Sequence, residues 1–173
     1  SCNVNTCNRV DAAIAEVIGA YVIKATTSEG YGTPRDEIIE PYIGMKVMKY
    51  GRTTGLSYGY IDSLNATVDV NYGTTSNTNY ARFVYQIVIK PAEDASYSDF
   101  SAGGDSGSLI VAADANYPAP DCVNNPSPCA WDYPPLGDER KPVGLLFAGG
   151  GGITVANKIS DVLGAFDVLI DGN

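Results

Sequence analysis

The sequence predicts an all-β fold with little helix. Its 173 residues are enough for one ordinary domain. They include 19 glycines, 10 prolines and 12 tyrosines beside many valine, isoleucine and threonine residues. Such a composition is typical of β-branched and aromatic strands that alternate with tight turns. Several apolar stretches bounded by glycine or proline also have the length of strands rather than of helices.

Three strands are predicted in the middle of the chain. Residues 45–49 alternate in polarity and lead into the glycine-bounded turn 51–55. Residues 56–70 alternate more weakly, so we expect two strands joined by that turn. Residues 81–90 form the clearest strand pattern, and Pro91 ends it because proline cannot donate to a strand ladder.

Three more strands and one helix are predicted in the last third. The strand patterns cover residues 108–113, 142–149 and 153–156. Residues 114–141 are rich in proline, aspartate and asparagine, and we expect a surface insertion there. Ser160 is predicted to cap a final helix that runs to Phe166, because its hydroxyl can accept from a free N–H of the first turn.

The 43 residues that precede Gly44 show no sustained period. Residues 10–18 suit either a short helix, by their alanines, or a strand that carries one acid, Asp11, into apolar surroundings. The remainder is predicted to be a connector. We therefore divide the chain into residues 1–43 and a strand-rich domain over residues 44–173.

Charge and composition exclude several classes of partner. The net charge of −9 and the pI near 4.3 argue against binding nucleic acid or an anionic membrane surface, which both require a basic patch. No run of about 18 apolar residues occurs, so we predict no transmembrane helix. We also predict no cofactor and no metal.

The four cysteines form two close pairs in sequence. Of the three possible pairings we predict the two local ones, Cys2–Cys7 and Cys122–Cys129, each of which closes a small polar loop. Zinc binding is the alternative, but the chain has no histidine and no Cys-x-x-Cys spacing, so its thiolates make a poor zinc site. Disulfides persist in oxidising compartments, which predicts a secreted, extracellular protein.

One motif carries the chemistry of the chain. Gly104-Asp105-Ser106-Gly107-Ser108 runs directly into an apolar strand. Glycines on both sides of Ser106 can adopt backbone angles closed to other residues, so that successive N–H groups converge beside the hydroxyl. Average residue usage gives Gly-Asp-Ser-Gly about a few times in a thousand chains of this length. The alternatives are a glycine-rich hairpin turn and an inherited loop that no longer reacts.

This motif resembles the nucleophile loop of trypsin-like serine proteases with the chymotrypsin fold. The resemblance implies that Ser106 is the nucleophile and that the N–H groups of Gly104 and Ser106 form the oxyanion hole. Ser108 stands where these proteases more often have glycine. The segment Gly51-Arg-Thr-Thr-Gly55 is similar to the start of the second six-stranded barrel in bacterial members. The predicted strands and helix would then be this second barrel.

The resemblance also assigns the acid and the substrate site. Val10-Asp-Ala-Ala-Ile14 is similar to the strand that carries the triad aspartate in many bacterial members, which makes Asp11 the residue that orients the catalytic imidazole. By itself Asp11 could equally be a helix N-cap or a solvated charge. Phe100 lies six residues before Ser106, where trypsins that cleave after basic residues have an aspartate, so a basic preference is not expected. The alternative is that neighbouring Asp99 takes that place through a shift of one residue in the loop. Substrate backbone would pair as an added strand with Phe147, Ala148 and Gly149.

The base of such a protease is missing, because the chain contains no histidine. A first six-stranded barrel needs roughly 80 residues, and only 43 precede Gly44, so the resemblance implies that residues 1–43 are a remnant of the first barrel and the connector between the two barrels. In the resembled family the histidine precedes the triad aspartate. We therefore predict one part of a secreted serine endopeptidase that acts on protein or peptide substrates, completed by an upstream fragment of the same precursor. The alternative is a catalytically inactive, protease-like barrel that binds or assembles with other proteins.

Overall fold

The computed structural model describes residues 7–18, 23–74, 76–92, 99–114 and 134–172. Within these ranges the chain forms six strands and one short helix. Their bounds are β1 Lys46–Gly51, β2 Gly55–Asn71, β3 Tyr80–Pro91, β4 Leu109–Ala112, β5 Pro142–Gly150, β6 Ile153–Lys158 and α1 Ile159–Phe166. The six predicted strands are confirmed, with ends that differ by one to a few residues.

The strands close into an antiparallel barrel in the order β1-β2-β3-β6-β5-β4. Met48 in β1 shows the closure, because it is opposite Tyr58 of β2 on one side and Val111 of β4 on the other. On the far side, Val88 of β3 is opposite Val155 of β6. A closed ring leaves no unpaired strand edge in the barrel, so its loops can hold a site without exposing backbone ladders.

Alternation along the strands fills the barrel with apolar side chains. The main core comprises Met45, Val47, Ile61, Ile87, Ile89, Phe100, Ile110, Ala112, Val143, Leu146 and Ala156. Each of these side chains is at most 3% exposed. Full burial of such a side chain contributes about 1.5–3 kcal/mol, so this set is the principal source of stability.

The final helix begins two residues earlier than predicted. Strand β6 continues to Lys158, and the helix starts at Ile159, so Ser160 lies inside the first turn and is not the N-cap. Lys158 takes the cap position without a side-chain hydrogen bond. Packing explains the start, because Ile159 and Val162 are both buried against the barrel. In the described ranges no helix is long and apolar enough to cross a bilayer.

Residues 7–18 form neither the predicted strand nor a helix. Asn8 makes one parallel bridge to Phe83 of β3. In this bridge Asn8 N–H donates to Arg82 carbonyl at 3.1 Å, and Val84 N–H donates to Asn8 carbonyl at 3.0 Å. Residues 13–18 are exposed. The predicted strand over 10–18 is therefore wrong, because a strand needs a neighbour to satisfy its backbone and no described residue supplies one there.

The predicted disulfides fall mostly outside the described residues. Cys7 is disulfide-bonded, while Cys2, Cys122 and Cys129 lie in ranges that the structure does not describe. Both local pairings therefore stay predictions. Most of the predicted insertion 114–141 also lies outside the described residues.

Candidate active site

The loop that carries Ser106 is held at both ends by backbone hydrogen bonds. Asp105 N–H donates to Ala102 carbonyl at 3.1 Å, and Ser108 N–H donates to Asp105 carbonyl at 3.0 Å. Gly107 N–H donates to Leu146 carbonyl of β5 at 2.7 Å, which ties the loop to the barrel. The Ser106 side chain is exposed at the tip of this turn. A fixed backbone therefore presents the hydroxyl to solvent.

Two backbone N–H groups of this loop have no partner in the part of the chain that the structure describes. Those of Gly104 and Ser106 make no hydrogen bond to any residue that the structure describes. Gly104 and Gly107 have φ of +101° and +88°, a conformation that other L-residues rarely adopt. A Cβ at position 104 would also collide with the guanidinium of Arg52. The turn thus requires its glycines, and it leaves these two N–H groups without a partner among the described residues.

Asp105 directly precedes Ser106, and its buried side chain holds the Ser106 loop in place. Its carboxylate accepts from Thr53 N–H at 2.7 Å, Thr54 hydroxyl at 2.8 Å and Ala102 N–H at 3.0 Å. Lys49 Nζ lies 3.4 Å from Oδ2, and both side chains are fully buried. Asp105 therefore has both N–H and cationic partners.

Opposing effects set the charge of this buried pair. Burial by itself would raise the pKa of Asp105, but the N–H groups of Ala102 and Thr53, the Thr54 hydroxyl and the Lys49 ammonium hold it well below its ordinary value. Burial lowers the pKa of Lys49, and the Asp105 carboxylate opposes that shift. Asp105 is therefore ionised at neutral pH, and its charge locks residues 102–105 onto the turn after β1.

Asp11 and Ser106 line one cleft of about 490 Å³, together with Tyr72. The Tyr72 hydroxyl donates to Asp11 Oδ2. Burial, followed by this contact with the carboxylate, raises the pKa of Tyr72 above its ordinary value. The structure thus brings the predicted acid and the predicted nucleophile to one site, and it adds a tyrosine that stays protonated at neutral pH.

The predicted substrate-binding strand borders Ser106 on its other side. A second cleft, of about 430 Å³, contains Ser106 and is lined by the end of β5, including Phe147, Ala148 and Gly149. Ser106 Oγ donates to the carbonyl of Phe147 at 3.4 Å. The Phe147 ring packs on Phe83, with ring centroids 5.0 Å apart. Among the described residues that line this cleft, none carries a formal charge at neutral pH.

Solved structures of bacterial serine proteases share this architecture. A glutamic acid-specific serine protease matches with a TM-score of 0.55 and 18% identity over 89% of this chain and 63% of its own. Protease A of Thermobifida fusca matches with a TM-score of 0.53 and 18% identity, over 82% of this chain and 56% of its own. The chymotrypsin of Cellulomonas bogoriensis matches with a TM-score of 0.55 and 16% identity, over 88% of this chain and 63% of its own. The chain has the chymotrypsin fold. No protein-family model matches the sequence, and no curated protein sequence matches it.

The chain spans 56–63% of the length of these three chymotrypsin-fold proteases. At such low identity the likeness establishes the fold and leaves the chemistry to the side chains present here. Within the described ranges no three histidine, cysteine, aspartate or glutamate side chains come together as metal ligands.

The structure corrects one predicted substrate residue. Phe100 is 1% exposed and belongs to the barrel core, where its carbonyl accepts from Ser57 Oγ at 2.7 Å. Its ring therefore packs inward, under the cleft instead of along it. Ser101 lines the cleft in its place, with its hydroxyl 2.6 Å from that of Thr154.

Three residues of this site were not predicted from the sequence. Lys49 had a signal, because strand alternation places it on the inward face with Met45 and Val47 and its charge there demands a partner. Tyr72 is one of 12 tyrosines and nothing in the sequence distinguishes it. Asn157, whose side chain holds the backbone of Asp11, lies in an apolar strand pattern with no motif around it.

Proposed function

We propose that this chain is the nucleophile-bearing part of a secreted serine endopeptidase. The proposal is carried by one site: the exposed Ser106 hydroxyl shares a loop with the N–H groups of Gly104 and Ser106, which have no partner among the described residues, and Asp11 lines a cleft together with Ser106. A nucleophile, an anion site and an orienting acid are three parts of acyl transfer.

The fourth part is a base. Tyr72 cannot serve, because its raised pKa keeps it protonated at neutral pH. We assign the base to an imidazole from a segment outside these 173 residues, oriented by Asp11. Exposed apolar side chains support a covering segment: Ile14 is 58% exposed, Val17 60%, Ile18 100% and Ile43 65%.

The reaction then has two halves. The imidazole takes the proton of Ser106 as Oγ bonds to the scissile carbonyl carbon, and the carbonyl oxygen becomes an oxyanion held by Gly104 and Ser106 N–H. The imidazolium returns the proton to the leaving amine as the peptide C–N bond breaks. Water, deprotonated by the same imidazole, then attacks the acyl carbon. The C–Oγ bond breaks, the imidazolium returns its proton to Ser106 Oγ, and the acid is released.

An inactive binding module is the second candidate, and Tyr72 favours it. Its hydroxyl already occupies Oδ2 of Asp11, an oxygen that an incoming imidazole N–H could use. In such a module the exposed apolar side chains of residues 14–18 would contact a partner protein without chemistry at Ser106.

A fluorophosphonate probe separates the two functions in material from the natural source. We expect a histidine-containing fragment to co-purify, as seen by intact mass and N-terminal sequencing, and the probe to label Ser106 as mapped by peptide mass. Ser106→Ala should abolish labelling, whereas Ser108→Ala, a hydroxyl two residues away that donates to Asp105 carbonyl at 2.6 Å, should retain it. An assembly that contains the histidine fragment but leaves Ser106 unlabelled would establish the inactive module.

The uncharged cleft predicts the substrate class. We expect substrates with an uncharged side chain at the residue whose carbonyl is attacked to be preferred. Their kcat/KM should be about 100-fold higher than that of substrates with lysine, arginine or glutamate there, because a charged side chain would lose water in this cleft without finding an opposite charge. Ser101→Asp adds one carboxylate to the cleft and should raise the relative rate for lysine and arginine substrates. Profiling with a peptide library tests both, and a wild-type preference for a charged residue would contradict the prediction.

A further inference from the structure

The side chain of Asn157 forms two hydrogen bonds with the backbone of Asp11. It lies on β6 with 0% exposure. Its Oδ1 accepts from Asp11 N–H at 2.9 Å, and its Nδ2 donates to Asp11 carbonyl at 2.8 Å and to Leu145 carbonyl at 3.3 Å. Every polar atom of the carboxamide is therefore paired, which offsets the cost of burying it.

This pairing substitutes for a strand neighbour. Residues 9–18 lie outside any sheet, so no ladder fixes the position of Asp11. A carboxamide presents one donor and one acceptor side by side, and it binds the N–H and C=O of a single residue as a neighbouring strand would. Asp11 is thus fixed by a side chain of the barrel itself.

Hydrogen bonds through β5 connect Asn157 to the loop that carries Ser106. Leu145, which accepts from Asn157, precedes Leu146 in β5. Leu146 carbonyl accepts from Gly107 N–H at 2.7 Å, and Leu146 N–H donates to Ser108 carbonyl at 3.1 Å. One short run of hydrogen bonds therefore joins the backbone of the acid to the two residues that follow Ser106.

We propose that Asn157 is the positioning residue that sets Asp11 relative to Ser106. The proposal rests on the proposed function, since it assigns Asn157 a part in orienting the imidazole through Asp11. It also explains how the acid stays on this barrel while the imidazole comes from elsewhere. A misplacement of about 1 Å at such a site costs about 100-fold in rate.

Gln86 provides a matched control, because its side chain also binds the backbone of the segment that contains Asp11. It is a second carboxamide with 0% exposure, on β3, and its Nε2 donates to Arg9 carbonyl at 2.8 Å and to Val84 carbonyl at 2.6 Å. It holds the chain two residues before Asp11, and neither of these two hydrogen bonds goes to Asp11. Gln86→Met removes both hydrogen bonds at nearly constant volume, and Asn157→Leu likewise removes those of Asn157.

The first experiment uses the chain as it is and needs no activity. Hydrogen exchange should show Asp11 N–H protected in wild type and in Gln86→Met, and about 10-fold or more faster in Asn157→Leu. Asn157→Asp keeps the Oδ1 acceptor and loses the amide donor, so an intermediate rate is expected. Thermal melting shows that each variant is folded. A folded Asn157→Leu with wild-type exchange at Asp11 would overturn the proposal.

The second experiment uses the complete protease. Asn157→Leu should lower kcat by about 10- to 100-fold with KM within about twofold, and it should move the acid limb of the pH–rate profile to lower pH because a displaced carboxylate stabilises the imidazolium less. Gln86→Met should change kcat by less than about threefold. Equal losses in both variants would overturn the specific role. Absence of Ser106 labelling in wild type would instead refute the proposed function, and the exchange result at Asp11 would still stand.

Discussion

Replacing Asp11 with asparagine is expected to lower kcat of the completed protease by about 10⁴ with little change in KM. An amide at this position can donate to the imidazole, which favours the tautomer that cannot accept the Ser106 proton, and it cannot stabilise the imidazolium. The cleft that Asp11 and Ser106 share is the structural basis for this expectation. Single-turnover acylation of a peptide ester would measure the effect on the chemical step directly.

Two variants of neighbouring residues make that result specific. Glu16→Gln removes an exposed carboxylate from the same segment and should leave kcat unchanged, so it controls for net charge. Tyr72→Phe removes the hydroxyl that occupies Oδ2 of Asp11 and should leave kcat equal or higher. A wild-type rate in Asp11→Asn would mean that Asp11 does not orient the base, whatever Ser106 does.

Local patterns explain why most of the barrel could be predicted. Strand β3 is rich in β-branched and aromatic residues between a polar stretch over residues 74–79 and Pro91, and its sequence alone sets its limits to within one residue. The turn at Ser106 could also be predicted from the sequence, because a sharp turn requires positive φ and Gly104 and Gly107 adopt it. Both features depend only on residues adjacent in sequence.

Long-range packing explains the errors. The strand expected over residues 10–18 needs a neighbour that the described chain lacks beyond Asp11. Phe100 was assigned to the substrate site by its spacing from Ser106, but spacing does not fix on which side of the loop a side chain packs, and the apolar ring gains more in the core. Asn157 reaches Asp11 across 146 residues of sequence, a distance at which no local pattern exists.

Removing the buried ammonium beneath the nucleophile loop should give the largest loss of stability. Lys49→Met leaves the Asp105 carboxylate buried without its cation, and loss of one partner of such a pair costs about 3–5 kcal/mol of unfolding free energy. Urea unfolding at pH 7 measures this loss. Lys90→Met is the control, because its pair with Asp62, at 2.8 Å, is half exposed and should be worth at most about 1 kcal/mol.

The pH dependence assigns this effect to the charge on Asp105. Its pKa in the folded chain lies below the ordinary value of about 3.9, so its contribution is complete above that value and is lost as pH falls through the lower folded-state pKa. The stability difference between wild type and Asp105→Asn should therefore stay constant from about pH 5 to 8 and shrink below about pH 4. Lys49→Met combined with Asp105→Asn should cost less than the two single changes added, because no unpaired charge remains. Additive losses would show that the two charges act independently, and that the loop under Ser106 is held by the N–H groups of Ala102 and Thr53 without help from Lys49.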